Sequence, residues 1–261
     1  MELLKIKDNI YRSVIEKAPA RAAMFIKNWK RYEACVKYIL SVAKPSADST
    51  VLDYGCGHPF VAKILIDLGY RVIPYEPYAG EEELYTAELL GIRELYKTTL
   101  AEGDQYDLVL MIDVIEHLSI IKPIMLDVQG KTKTGGLLFV STPNVLRIEM
   151  WLSFVLRQTG HPQPLNMFLN GDNNYSNHQR EFTMAELKQT LQHFGYKVIK
   201  ASCCVTSPTH QELLQYHSFS GVKTPAISFK KKMLNVVYDM FRVLAPSKFS
   251  NNLLIVGKKI K

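Results

Sequence analysis

The chain has 261 residues, is 47% apolar and carries a net charge of +7, a globular composition with length for one large domain and its appendages. No uninterrupted apolar run of about 18 residues exists, which excludes a membrane-spanning helix. The four cysteines (Cys35, Cys56, Cys203, Cys204) make no zinc pattern. Met1-Glu2-Leu3-Leu4-Lys5 lacks the apolar core of a secretory signal, so reduced thiols and a cytoplasmic location are expected.

Residues from Met1 to about Ala43 read as helical and polar-basic, with apolar positions at Tyr32, Cys35, Val36, Ile39 and Leu40. The loop from Lys44 to Ser49 separates this N-terminal cap, 1–48, from a main domain, 49–261. Val51 and Leu52 begin a buried strand, and Gly55 and Gly57 allow a tight turn with close backbone approach to a ligand. From Pro59 the spacing of Val61, Ile64, Leu65 and Leu68 is helical, with Gly69 as the stop.

Arg71 to Tyr75 is a second strand and ends at Glu76, where an acid commonly meets ribose hydroxyls. Glu81, Glu82 and Glu83 favour a helix start after Ala79, and Ile92 to Tyr96 reads as a third strand. Asp107 to Ile112 is a fourth strand, with a helix expected from near Asp113. Gly135 to Ser141 is a fifth.

Val145 to Leu156 is apolar on nearly every side, the mark of a helix that is buried or touches a lipid or a partner. The polar loop after it, with His161, Pro162, Pro164 and Gly171, makes 145–180 a candidate lid over the substrate. Thr183-Met184-Ala185-Glu186 matches a capping box, followed by Leu187, Leu191 and Phe194 at helical spacing. Tyr196 to Cys204 and Asn252 to Lys258 complete seven strands. The β-α-β-α alternation predicts a doubly wound, mostly parallel α/β sheet. Between the last two strands, 205–250 carries an apolar stripe from Phe229 to Leu244 led by Lys230, Lys231 and Lys232. From Val222 to Lys261 nine lysines and arginines stand against Asp239, so the rest of the chain is nearly neutral.

Strand, glycine turn and helix N-terminus together make a nucleotide-type site. Phe60 stands where a dinucleotide fingerprint needs its third glycine, and Asp53 suits a cationic ligand better than a pyrophosphate. The pattern therefore points from NAD toward an aminoacyl nucleoside. Asp53-x-Gly55-x-Gly57, Glu76 and Tyr106-Asp107-Leu108-Val109-Leu110-Met111-Ile112-Asp113-Val114-Ile115-Glu116-His117-Leu118 resemble class I S-adenosylmethionine-dependent methyltransferases. The likeness runs from about Val51 to Cys204, and Pro59 departs from it, since the family usually has glycine there.

The resemblance implies S-adenosylmethionine as cofactor. Asp53, Tyr54, Gly55, Cys56 and Gly57 would hold its methionine part, Glu76 with Pro77 its ribose, and Ile112 with Asp113 its far side. It also implies a last strand running antiparallel at the sheet edge.

Methyl transfer to a hydroxyl needs alignment, exclusion of water and removal of one proton. Asp113, Glu116 and His117 lie at i, i+3 and i+4, on one face if the helix begins there. His178, within His178-Gln179-Arg180-Glu181-Phe182-Thr183, is positioned to face the same cleft. This stretch is similar to one in many small-molecule and glycan methyltransferases. Catalysis by Glu116, His117 and His178, with a histidine as general base, is the favoured reading, and no metal is assigned.

The rival reading has Glu116, His117 and His178 hold a divalent cation, as similarity to ubiquinone-type O-methyltransferases and small-RNA 2′-O-methyltransferases suggests. Arg180 and Glu181 are expected to pair structurally. The expected acceptor is a hydroxyl of a sugar or lipid-linked glycan intermediate. Alternatives are a quinone-like or other small phenol, a nucleic acid (disfavoured by the few aromatics in the tail) and a non-catalytic scaffold. The basic tail raises peripheral contact with the inner face of a membrane as a further expectation.

Overall fold

The structure, a computed structural model, describes residues 2–157, 178–206, 240 and 250–260. The expected polar loop at 158–177 and, apart from Met240, the basic stripe from 229 to 244 lie outside the described residues. Helices α1 (Glu2–Ile15) and α2 (Pro19–Tyr38) precede β1 (Thr50–Tyr54). Then follow α3 (Phe60–Asp67), β2 (Arg71–Tyr75), α4 (Glu81–Leu89), β3 (Tyr106–Ile112), α5 (Ile121–Lys131) and β4 (Thr132–Pro143). Helices α6 (Ile148–Arg157) and α7 (Met184–His193) lead to β5 (Tyr196–Cys204) and β6 (Asn252–Lys259).

The strands form one sheet in the order β2-β1-β3-β4-β6-β5. Strands β1 to β4 run parallel, while β6 is antiparallel to both its neighbours. This is the expected doubly wound α/β fold, with six strands among the described residues instead of seven. The expected strand at Ile92 to Tyr96 is reduced to a single bridge between Tyr75 and Lys97. Its buried residues, Ile92 and Tyr96, stand four apart, and the N–H groups of Leu95 and Tyr96 both bond to the Ile92 carbonyl. Helical turn spacing has therefore won over strand alternation there.

Each sheet face has its own core. On one face α1, α2 and α3 bury Ile10, Phe25, Trp29, Val36 and Ile64 against Val51, Leu108 and Phe139. On the other, Met125 and Val128 of α5 and Leu187 and Leu191 of α7 meet Leu52, Val109 and Ile255. Cys204 packs with the first set and Cys203 with the second, as adjacent strand residues must. Phe60 stacks on the cap, its ring centroid 5.0 Å from Phe25 and 6.0 Å from Tyr32. Each such pair contributes about 0.5–1.5 kcal/mol beyond area burial, so Phe60 fastens α2 over the glycine turn.

Within α6, Ile148 is buried but Trp151, Phe154 and Val155 are exposed. No helix among the described residues is long and apolar enough to cross a membrane. The capping box forms as expected: Thr183 Oγ1 accepts from the Glu186 N–H at 3.2 Å, and the Thr183 N–H donates to Glu186 Oε2 at 2.8 Å.

Strand β6 is pressed against α7 and β5 at Gly257, where an added Cβ would come within 2.9 Å of Tyr196 Cβ and 3.1 Å of Leu191 Cδ2. Gly257→Ala should therefore destabilise the fold by about 1–3 kcal/mol, read as a lower urea midpoint with an unchanged slope.

Candidate functional site

The carboxyl ends of β1 and β3 open onto a cavity of about 230 Å3. Strand β1 stops because Gly55 and Gly57 adopt positive φ of 73° and 49°, which turns the chain across the sheet end. A Cβ at Gly55 would lie 2.8 Å from a Val114 methyl, so the close approach also needs glycine. The Gly55 and Cys56 N–H groups bond to the Tyr75 carbonyl, and the Tyr96 hydroxyl donates to the Gly57 carbonyl at 2.8 Å.

Of the residues expected to hold a cofactor, Asp53, Gly55, Cys56, Gly57, Ile112 and Asp113 line this cavity. Glu76 supports it from below: Oε2 accepts from the Gly57 N–H at 3.2 Å and Oε1 from the Tyr78 N–H at 3.1 Å. The Tyr54 side chain turns away, donating to Asp127 at 2.8 Å and packing on Tyr75, and Pro77 is exposed beyond Glu76. Asp53 is 3% exposed, and burial, with the charge of Glu76 added, pushes its carboxyl up to about 7.

The cap closes the other side, with Met24, Asn28, Arg31 and Tyr32 of α2 facing Asp53 and the glycine turn. Arg31 Nη1 pairs with Asp113 Oδ2 at 2.8 Å. Burial disfavours the Arg31 charge, but Asp113, first among its polar neighbours, outweighs that and holds the guanidinium raised and charged. Its Nε is buried without a hydrogen-bond partner. The pairing of Arg31 with Asp113 spans 82 positions, so no local signal in the sequence encodes it.

The expected α-helix at Asp113 is replaced by a tight turn. Asp113 has φ of 53°, a 3-10 turn covers Ile115–His117, and α5 begins only at Ile121. Asp113, Glu116 and His117 therefore do not share a helical face. Asp113 points to Arg31, and Glu116 is fully buried with Oε2 accepting from Thr142 Oγ1 at 2.9 Å. The His117 ring packs edge-on against His178, with centroids 4.9 Å apart.

Strip 178–182 is laid against this turn because the Gln179 and Arg180 N–H groups bond to the Glu116 carbonyl at 2.7 and 3.2 Å. One ligand atom from each of Glu116, His117 and His178 falls within 4.8 Å of the others. Burial, and next the charge of Asp113, pushes the Glu116 carboxyl up to about 8, and its Oε1 is buried without a hydrogen-bond partner. The expected Arg180–Glu181 pair does not form. Arg180 reaches Glu186 at 2.8 Å, whereas Glu181 pairs with Arg147 and with His178 Nδ1 at 2.8 Å. Burial would raise the Glu181 carboxyl, but the hydrogen bonds from His178 and Arg147 hold it below the ordinary range.

A family model described as a methyltransferase domain matches residues 27–201. A ubiquinone biosynthesis O-methyltransferase from Rhizobium etli is 30% identical over 110 residues, covering 39% of this chain. The chain spans 44% of that relative's length. A protein of the same name from Rhodopseudomonas palustris is 27% identical over 186 residues, 68% of this chain and 71% of the relative. The solved structure of a geranyl diphosphate C-methyltransferase from Streptomyces coelicolor A3(2), in complex with Mg2+, geranyl diphosphate and S-adenosyl-L-homocysteine, superposes with a TM-score of 0.52. It is 12% identical, with 88% of this chain and 78% of that one covered, so the likeness concerns the fold.

Asp53 stays protonated in the folded chain up to about pH 7, while an unfolded aspartate ionises near 3.9. The folded state binds the extra proton between these values, so stability falls as pH rises through that window and levels above it. Asp53→Asn removes this slope. Urea unfolding should show the variant gaining about 1–2 kcal/mol on the parent between about pH 5 and 7.

Proposed function

The chain belongs to the methyltransferase-domain family, and we propose that it methylates a hydroxyl of a small quinone-like phenol with S-adenosylmethionine as donor. The observation that carries this reading is the convergence of Glu116, His117 and His178 within 4.8 Å, directly after Asp113 of the β1–β3 cavity. The name of the relatives, ubiquinone biosynthesis O-methyltransferase, supports a quinone-like phenol over the sugar or glycan acceptor.

When bound, S-adenosylmethionine supplies a sulfonium methyl whose C–S bond breaks as the new C–O bond forms. The cavity suits its amino-acid end: Asp53 offers a carboxylate to the ammonium, and Arg31 a guanidinium to the carboxylate. Glu76, just past the end of β2, accepts from the Gly57 N–H and would meet the ribose hydroxyls. Ile112 gives an apolar wall to the adenosine. Tyr32 and Phe60 pack the cap onto the helix that follows the glycine turn, so α2 would shield that side of the donor from solvent.

The acceptor hydroxyl must lose a proton. His178 is the base in this reading, since its Nδ1 is occupied by Glu181 and Nε2 remains to accept. His117, against its ring edge, confines the acceptor oxygen, and Glu116 anchors the turn through Thr142.

A second reading has its own support. The orphaned Glu116 Oε1 beside two imidazoles is a donor set suited to a divalent cation with open positions, a group that lowers the pKa of a bound hydroxyl. Dialysis against a chelator followed by readdition of Mg2+ or Zn2+ separates the two. Unchanged activity assigns the proton to His178, and metal-dependent recovery assigns the cluster to the ion.

His178→Ala should lower kcat for a catechol-type acceptor by about 10²–10⁴-fold while leaving S-adenosylhomocysteine affinity intact, measured by calorimetry. A folded protein that binds S-adenosylhomocysteine but methylates no phenol would remove this acceptor class.

A further inference from the structure

The mechanism above depends on the contact between His178 Nδ1 and a buried carboxylate, Glu181. The Glu181 side chain is 2% exposed, and both its oxygens are engaged. Oε1 meets His178 Nδ1 at 2.8 Å and Arg147 Nη2 at 3.1 Å, while Arg147 Nη1 donates to Oε2. Arg147 Nη1 also donates to the Asn144 carbonyl at 3.1 Å, and Asn144 Nδ2 donates to the Ser250 carbonyl at 2.9 Å. The Val145 N–H bonds to the Phe182 carbonyl, which ties the chain leaving β4 to strip 178–182. The whole set forms a rigid seat joining the root of α6, the entry to β6 and the strip that carries His178.

A carboxylate gripped by two guanidinium N–H groups is ionised and can only accept hydrogen bonds. Nδ1 of His178 must then carry the hydrogen in that contact, and in the neutral ring Nε2 must carry the lone pair. A neutral imidazole in water favours the opposite arrangement, with hydrogen on Nε2. The His178 side chain is 18% exposed, so the nitrogen left open is within reach of an acceptor.

We propose that Glu181, held by Arg147, is a positioning residue that fixes His178 in the tautomer with Nδ1 protonated and Nε2 open toward the acceptor. This rests on the reading of His178 as the group that meets the acceptor, and it serves proton removal and metal ligation alike. Neutralising Arg147 needs only the two guanidinium contacts. The third contact, to His178, is the one with chemical consequence.

The test reads the tautomer directly. Long-range 1H–15N correlation spectra of the full chain at alkaline pH report which nitrogen of each histidine is protonated, and His178→Gln assigns the signal. The parent should show protonated Nδ1 and unprotonated Nε2 at His178. Glu181→Met keeps side-chain length but removes the acceptor, and should move the ring toward the Nε2-protonated form. Glu181→Gln retains an amide oxygen and should restore the parent pattern.

Because Glu181→Met leaves Arg147 buried without its partner, the paired variant Arg147→Met/Glu181→Met is measured beside it as the charge-free control. The same two Met variants should lose about 10–100-fold in kcat with an unchanged KM for S-adenosylmethionine, and Glu181→Gln should lose less. A parent His178 protonated on Nε2, or a paired variant that keeps the parent tautomer, overturns the proposal. Absence of any methyl transfer would sink the functional reading while leaving the tautomer result standing, so the two failures are distinguishable.

Discussion

The backbone reversal at Asp113 is the constraint on which the site depends. A non-glycine residue at φ of 53° is strained by about 1–3 kcal/mol, although aspartate tolerates the left-handed region better than most. Surrounding contacts hold it there. Its N–H bonds to the Ser141 carbonyl at 2.9 Å, Ser141 Oγ lies 3.4 Å from Oδ1, and Arg31 grips Oδ2. The turn sends Glu116 inward and His117 toward His178, where a straight continuation into helix would have put all three side chains along one outer face. The same ion pair moors α2 above the glycine turn. The cavity and the Glu116–His117–His178 cluster therefore share one hinge point, and moving Asp113 would disturb both.

Three buried acids near this hinge have been driven to different states by their neighbours. At Asp53 and Glu116 burial outweighs what the neighbouring groups offer, so it raises both, to about 7 and about 8. Glu181 is as enclosed but has Arg147 and His178, and it stays below the ordinary range. Separation of carboxyl groups into neutral and ionised sets is how one site supplies different roles at one pH. On the proposed reading Asp53 yields its proton when a cation arrives, Glu116 does so for a proton acceptor or an ion, and Glu181, held ionised by Arg147 and His178, serves as a fixed support.

Features encoded within a few residues were legible in the chain. Asp53-x-Gly55-x-Gly57, the strand runs, the Thr183 capping box and the opposite facing of Cys203 and Cys204 all follow from local spacing. What escaped is encoded at a distance. Arg31 meets Asp113 across 82 positions, and Glu181 meets Arg147 across 34, so neither pairing has a periodic signature. The neighbouring Arg180 looked like the partner of Glu181, but adjacent residues on an extended strip point apart. At Ile92 to Tyr96 and at Asp113 to His117 the error was one of period. Short segments of mixed character satisfy helix and strand templates alike, and contacts elsewhere decide. Phe60, legible only as a residue that rules out a dinucleotide, is in the fold the hydrophobic bolt of the cap.

Strip 178–182 also stands beside a hollow larger than the cavity at β1 and β3. A cleft of about 680 Å3 lies between the 3-10 turn, α5 and α7, against about 230 Å3 for the cavity at β1 and β3. The two share no lining residue. Gln179, Arg180 and Phe182 line the larger cleft, while His178 and Glu181 are engaged with His117 and Arg147. The strip is thus a partition, with Gln179, Arg180 and Phe182 on the larger cleft and His178 and Glu181 turned to the groups around the turn after Asp113. On the reading of His178 as the base, its placement against the turn after Asp113, and not the size of a hollow, is what brings base and acceptor together.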